Sequence, residues 1–195
     1  MVRNAPYEEA LHWFDISSNN DPNLGVDGVN GMLNAYSNTV PNLDFSSPTN
    51  FAEVLSHAIS IADDLHRSNK DHIPNPQYSI LLIITDGEIS DFEETKDWIV
   101  YAANEDLPLS IVIVGVGRVN YDKMKKLDGD GKNRLKSLQY GVASRDIVQF
   151  VAFQDKRSVE DLAAETLEEI PDQFLQYMHK YRFEVPKGRQ YGEHS

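Results

Sequence analysis

The residues best placed for chemistry are acids that close apolar runs. In YSILLIITDGEISD, residues 78–91, an unbroken run from Ile80 to Thr85 stops at Asp86, and Gly87 follows. A continuous Ile/Leu run predicts a strand covered on both faces, as in a parallel sheet flanked by helices. Gly87 permits a tight turn, so Asp86 stands at the strand's C-terminal edge, where ligands bind in such sheets. Ser90 and Asp91 lie within reach of the same rim. A serine beside acids but without a neighbouring general base is unactivated, which speaks against a hydrolase.

Other constellations are weaker. The histidines at 12, 57, 66, 72, 179 and 194 are scattered. None forms a His-x-x-x-His zinc pair, and no Gly-x-Ser-x-Gly elbow exists. His57 falls inside a helical pattern and reads as a polar-face or packed side chain. In LDGDG, residues 127–131, Asp128 and Asp130 have the spacing of calcium ligands. No glutamate follows at the distance a calcium loop requires, and Asp-Gly pairs are ordinary turn chemistry, so the spacing alone reads as a turn. GVGR at 115–118 lacks the third glycine of a dinucleotide fingerprint and ends a strand instead of opening the first unit.

The elements that must position these residues follow from periodicity. ALHWFDIS at 10–17 predicts one short edge strand. Asp27 is placed to cap a helix carrying Val29, Met32, Leu33, Tyr36 and Val40 at helical spacing, with Gly28 and Gly31 weakening it. Phe51, Val54, Leu55, Ala58, Ile61, Ala62 and Leu65 define a clear amphipathic helix, and residues 66–77 read as a polar loop. A helix over 93–105, with Trp98, Ile99 and Ala102 inward, leads to a second buried strand at 110–116. Strand, helix and strand in that order imply a right-handed parallel crossover. YDKMKKL is a short helix, residues 127–144 a loop, and DIVQFVAF a third parallel strand. Pro171 predicts a kink or break near Glu169 and Ile170 in the last helical stretch. The fold class is therefore α/β, a doubly wound, mostly parallel sheet with helices on both faces.

ILLIITDGEISD, a helix, and then LPLSIVIVGVG together resemble the von Willebrand factor A fold in its copine branch. GVDGV at 25–29, PTNF at 48–51, LDGDG, RDIVQFVAF at 145–153 and EIPDQFLQYM at 169–178 resemble copines in order and spacing, over roughly residues 10–180. The domain reading that follows is an extension over 1–9, a copine-type A domain over 10–181 and a polar tail over 182–195. In this family a divalent cation sits at the sheet's C-terminal edge, held by an Asp-x-Ser-x-Ser loop, a threonine and the aspartate of Thr-Asp-Gly. The resemblance makes Thr49 the threonine and Asp86 the aspartate, with hard oxygen donors suited to magnesium, manganese or calcium. DISSN at 15–19 imitates the first loop through Asp15, Ser17 and Asn19, and equally reads as a turn at a strand end. Only one helix separates it from Thr49, whereas the family places a helix and two strands there. On that alignment the chain begins partway into its domain, without the first strand and its cation loop. The strand of Ile80–Thr85 is then expected to have an unpaired inner edge and the cation to bind weakly or not at all.

Composition narrows the partners. A length of 195 residues suits one domain. A formal charge of -13, from 31 acids against 18 bases, argues against nucleic acid or an anionic membrane surface as a direct partner. Basic proteins and divalent cations fit better. There are no cysteines, which removes disulfides, thiolate zinc sites and cysteine nucleophiles. No apolar stretch has signal-peptide or membrane-span length, so a soluble, intracellular chain is expected. The resemblance implies a cytoplasmic binding module for intracellular proteins. Its full-length relatives are calcium-dependent phospholipid-binding proteins in signalling and membrane trafficking, recruited to membranes through C2 domains that this chain does not contain. An alternative is the A domain of a copine-related ubiquitin ligase, although the cysteine-rich RING of those proteins has no counterpart here.

Overall fold

The computed structural model describes residues 2–3, 11–17, 25–45, 47–70, 75–86, 88–129, 133–155 and 158–181. Its centre is a three-stranded parallel sheet of β3 (Ser79–Thr85), β4 (Leu109–Gly115) and β7 (Val148–Ala152), in the order β3-β4-β7. Leu82 lies opposite Val112 and Val112 opposite Gln149, which fixes the faces. One face of β4, Leu109, Ile111 and Ile113, is buried under α2 (Ala52–Lys70), α3 (Phe92–Asn104) and α4 (Asp122–Leu127). The other, Val112 and Val114, packs against Ile170 and Leu162 of α6 (Ile170–Lys180) and α5 (Val159–Thr166). Helices thus cover both faces of an α/β sheet, as the periodicity requires. Pro171 falls in the first turn of α6, where its missing N–H is harmless, and the chain breaks between α5 and α6 at the expected place.

Burial on both faces belongs to β4, all of whose residues are buried, and not to β3 as the sequence suggests. Along β3, Leu81 and Ile83 pack against the core, while Ile80, Leu82 and Ile84 are 51%, 54% and 65% exposed. Among the described residues β3 has one strand neighbour, β4, and its second face has no covering helix. The reason is positional: α5 and α6 pack on the centre of the sheet, and α6 meets Tyr78 just ahead of β3 without covering Ile80, Leu82 and Ile84. Beside that open face stands α1 (Gly28–Thr39), which buries Ala35 alone and leaves Val29, Met32, Leu33 and Tyr36 more than half exposed. Asp27 takes the N-cap position of α1 without a side-chain hydrogen bond.

Other expectations change as well. Of the short strand at 10–17 only a single bridge at Leu11 is present, residue 10 lying outside the described residues. Val2–Arg3 (β1) pairs antiparallel with Asp44–Phe45 (β2), which attaches part of the N-terminal extension to the fold. The presumed loop at 127–144 contains a small hairpin of β5 (Lys136–Ser137) and β6 (Gly141–Val142), with Gly141 at φ +76° closing the turn. The tail over 182–195 lies outside the described residues.

The polar loop expected from residue 66 is helical up to Lys70, because its polar residues find distant partners. Asn69 is fully buried, exchanges two hydrogen bonds with the Gln77 backbone and donates to the Tyr177 hydroxyl at 3.1 Å. That hydroxyl also meets His66 Nδ1 at 3.1 Å. Burial, and next the positive charge of Lys70, hold the His66 imidazole below its ordinary value, with Lys180 acting in the same direction and Asp106 and Asp63 opposing. A folded-state value below the unfolded one means stability that is complete above about pH 6.5 and is lost as pH falls through the folded value. Urea unfolding should therefore show a midpoint that drops as pH falls below about 6.5, and His66→Asn should flatten that drop. An unchanged pH slope in the variant would assign the effect elsewhere.

Candidate functional site

Three loops meet at the C-terminal edge of β3 and β4. The first is residues 47–51 ahead of α2, the second residues 86 and 88–91 after β3, with Gly87 and the turn expected of it outside the described residues, and the third residues 116–121 after β4. Hydrogen bonds to main-chain carbonyls tie each to the next. Ser90 N donates to Thr49 O at 2.9 Å, and Lys123 Nζ donates to Ile89 O at 3.0 Å. Ile89 is fully buried and plugs the space beneath the second loop. Val116 N donates to Thr85 O at 2.8 Å, which continues the ladder past the end of β3.

Asp91 is the main clamp. Its carboxylate accepts from Phe51 N at 3.0 Å and Ala52 N at 2.7 Å, the first free amides of α2, and from Thr95 Oγ1 at 3.2 Å. An acid at a helix N-terminus satisfies orphan donors and complements the helix dipole. Asp91 also occupies the N-cap position of α3, so one residue joins two helix starts across the rim. Sequence reasoning placed it near the rim but could not assign this role, since its partners lie 39 and 40 residues away.

Thr49 and Asp86, the two residues assigned to the cation by resemblance, are both exposed, on loops that the Ser90–Thr49 bond draws together. Tyr121 closes the rim on the β4 side. Its hydroxyl donates to Val116 O at 2.7 Å and Gly117 O at 3.3 Å, and its ring lies so close to Gly115 that a Cβ there would fall 2.6 Å from Cε1. Burial raises the Tyr121 phenol, and the charges of Asp86 and Asp155 add to the rise. Asp155, just past β7, therefore shares the field of this edge, and no sequence motif marked it. Its one signal was an acid following the third strand at the end where Asp86 follows the first.

Asp15 is engaged locally: its carboxylate accepts from Ser17 N at 2.8 Å and Ser17 Oγ at 2.7 Å, and these bonds hold it below the usual carboxylate range. That is an Asx-type turn. His57 stacks on Trp13 with ring centroids 3.8 Å apart, so the packed reading of that histidine holds.

Fit to a divalent cation rests on donor chemistry. A threonine hydroxyl and a carboxylate on a solvent-facing rim are hard oxygen donors, suited to magnesium, manganese or calcium, and they leave most positions of such an ion to water.

A parallel sheet with helices on both of its sides, and an acidic rim at the carboxyl ends of its strands, defines an α/β domain of the von Willebrand factor A type. The family model described as Copine matches residues 4–186, and the chain belongs to the copine family. It is 49% identical over 155 residues to "Protein BONZAI 2" of Arabidopsis thaliana, covering 78% of this chain and 25% of that protein. It is 44% identical over 165 residues to "Copine-E" and 42% over 173 to "Copine-B", both of Dictyostelium discoideum. These cover 83% and 88% of this chain but 27% and 31% of the relatives. The chain thus spans about a quarter to a third of the length of the relatives it matches. Among the described residues no helix is long and apolar enough to cross a membrane.

Proposed function

We propose that this chain is a protein-interaction module of a copine-type protein, and that its working surface is the rim carrying Thr49 and Asp86. A divalent cation, magnesium, manganese or calcium, completes that surface by bridging rim oxygens to an acidic group of an intracellular protein partner. The observation that carries this reading is the clamp made by Asp91 and the Ser90–Thr49 bond, which fixes two otherwise separate loops side by side with their polar side chains exposed. A rigidly held, exposed oxygen set suits recognition. The hydrolase alternative loses Asp91 as a base for Ser90, because its carboxylate is engaged by helix amides. The calcium-dependent phospholipid binding of full-length copines is assigned to parts of those proteins beyond this segment. The net charge of -13 opposes direct contact with an anionic membrane or nucleic acid.

Two protein side chains hold an octahedral ion weakly. Manganese titrated into the chain should show a phase with a dissociation constant near the millimolar range, and Asp86→Ala should abolish that phase. A titration in which no phase is lost in Asp86→Ala, or in which the phase lost has micromolar affinity, would overturn the assignment of Thr49 and Asp86.

A further inference from the structure

We infer that a second hard-cation site, best suited to calcium, lies at the end of the sheet opposite the rim, where β7 and α6 begin. Asp128, Asp146 and Glu169 each bring a carboxylate oxygen to within 4.8 Å of the other two. They arrive from separate segments, the residue after α4, the loop before β7 and the N-cap of α6. Two of them are fixed on β7 itself: Asp146 accepts from Val148 N at 3.1 Å and Asp128 from Phe150 N at 3.0 Å. Both amides point away from β4, so the two aspartates flank Gln149 along the outer edge of the strand.

Gln149 supplies the independent observation. It is 7% exposed, and its side-chain carbonyl Oε1 has no hydrogen-bond partner. In register it lies opposite Val112, whose side chain packs against Ile170, the residue next to Glu169. Gln149 therefore stands on β7 between the two residues whose amides hold the aspartates, on the face that α6 covers beside Glu169. A buried amide carbonyl is seldom left unmatched, because its desolvation is then uncompensated. Calcium takes carboxylates and amide carbonyls together.

The surroundings fit an ion. A Cβ at Gly129 would lie 2.9 Å from Asp146 Oδ2, so glycine is what lets the loop backbone close over that acid. Beside the cluster a groove of about 420 Å³, lined by Asp146, Glu168, Glu169, Asp172 and Gln173 among others, gives a negatively charged path from solvent. Asp128 is also the first acid of LDGDG. The spacing within that loop reads as a turn, and the missing ligands come from β7 and α6 instead of from the loop's own downstream sequence.

The test is calorimetric titration of calcium chloride into the full chain, with thermal unfolding as a second readout. Expected are one calcium per chain with a dissociation constant between about 1 µM and 1 mM, and a melting temperature that rises with calcium. Asp146→Asn or Glu169→Gln should weaken binding at least tenfold. Gln149→Met, which keeps the length and removes the carbonyl, should weaken it several-fold. Asp86→Ala should leave it unchanged, which separates this site from the rim. Absence of calcium binding by the wild type would overturn the inference. So would affinity unaltered in both carboxylate variants, or calcium binding lost in Asp86→Ala alone. Glu169→Gln, at a partly exposed helix start, keeps the test decisive if Asp146→Asn does not fold.

Discussion

Val112→Asp should leave the chain unfolded, whereas Leu82→Asp, its neighbour in register on the same face of the sheet, should fold and be more soluble than the wild type. The two side chains are Cα partners across β3 and β4, yet Val112 is 2% exposed and Leu82 is 54% exposed. At Val112 the substitution removes packing against Ile170 and buries an unpaired carboxylate, a combined cost of about 4 kcal/mol or more. That is a large part of the roughly 5–15 kcal/mol that holds a domain together. At Leu82 the new charge faces solvent, and the cost is about 1 kcal/mol or less, set by the lower strand propensity of aspartate. Urea unfolding of both variants measures the difference. Equal destabilisation would mean that α5 and α6 do not end where they are placed over the sheet.

The same open face leads to a second large effect: the wild-type chain should self-associate. Ile80, Leu82 and Ile84 of β3 and Val29, Met32, Leu33 and Tyr36 of α1 are all exposed, and the pocket of about 500 Å³ between the two elements is lined mainly by apolar side chains. Each such side chain regains about 1 kcal/mol when half its surface leaves water. β3 adds backbone groups that lack a strand partner on their outer side among the described residues, which makes it a template for pairing. Sedimentation should give an average mass above 22.1 kDa that rises with concentration. Added salt should strengthen the association, because it screens the mutual repulsion of chains carrying -13. Leu82→Lys combined with Ile84→Glu leaves the net charge unchanged and should return a monomer. A wild-type chain that is monomeric at every concentration would show that the apolar face is covered within the molecule.

The cation chemistry proposed for the rim was legible only through resemblance. Asp86 could be placed at a strand end from the apolar run alone, but pairing it with Thr49 needed a family pattern, since nothing local in PTNF marks a ligand. Asp91 was legible as a rim residue and illegible as a clamp. The cluster at the other end of the sheet was half visible, as Asp128 in a turn.

By itself the sequence determined where strands and helices lie whenever the signal is local. The Ile/Leu runs of β3 and β4, the apolar stripes of α2 and α3 and the break before Pro171 are encoded within a few residues of where they act. Only the tertiary structure decided which apolar run is buried, because β3 and β4 read alike and differ only in what stands next to them. The same holds for the last turn of α2, which is helical because His66 and Asn69 meet Tyr177, more than 100 residues further on. It holds for Asp128, Asp146 and Glu169, which no window of sequence contains together. Local structure follows from backbone sterics and side-chain periodicity, whereas burial and ligand geometry depend on contacts between residues far apart in the chain, which periodicity does not record.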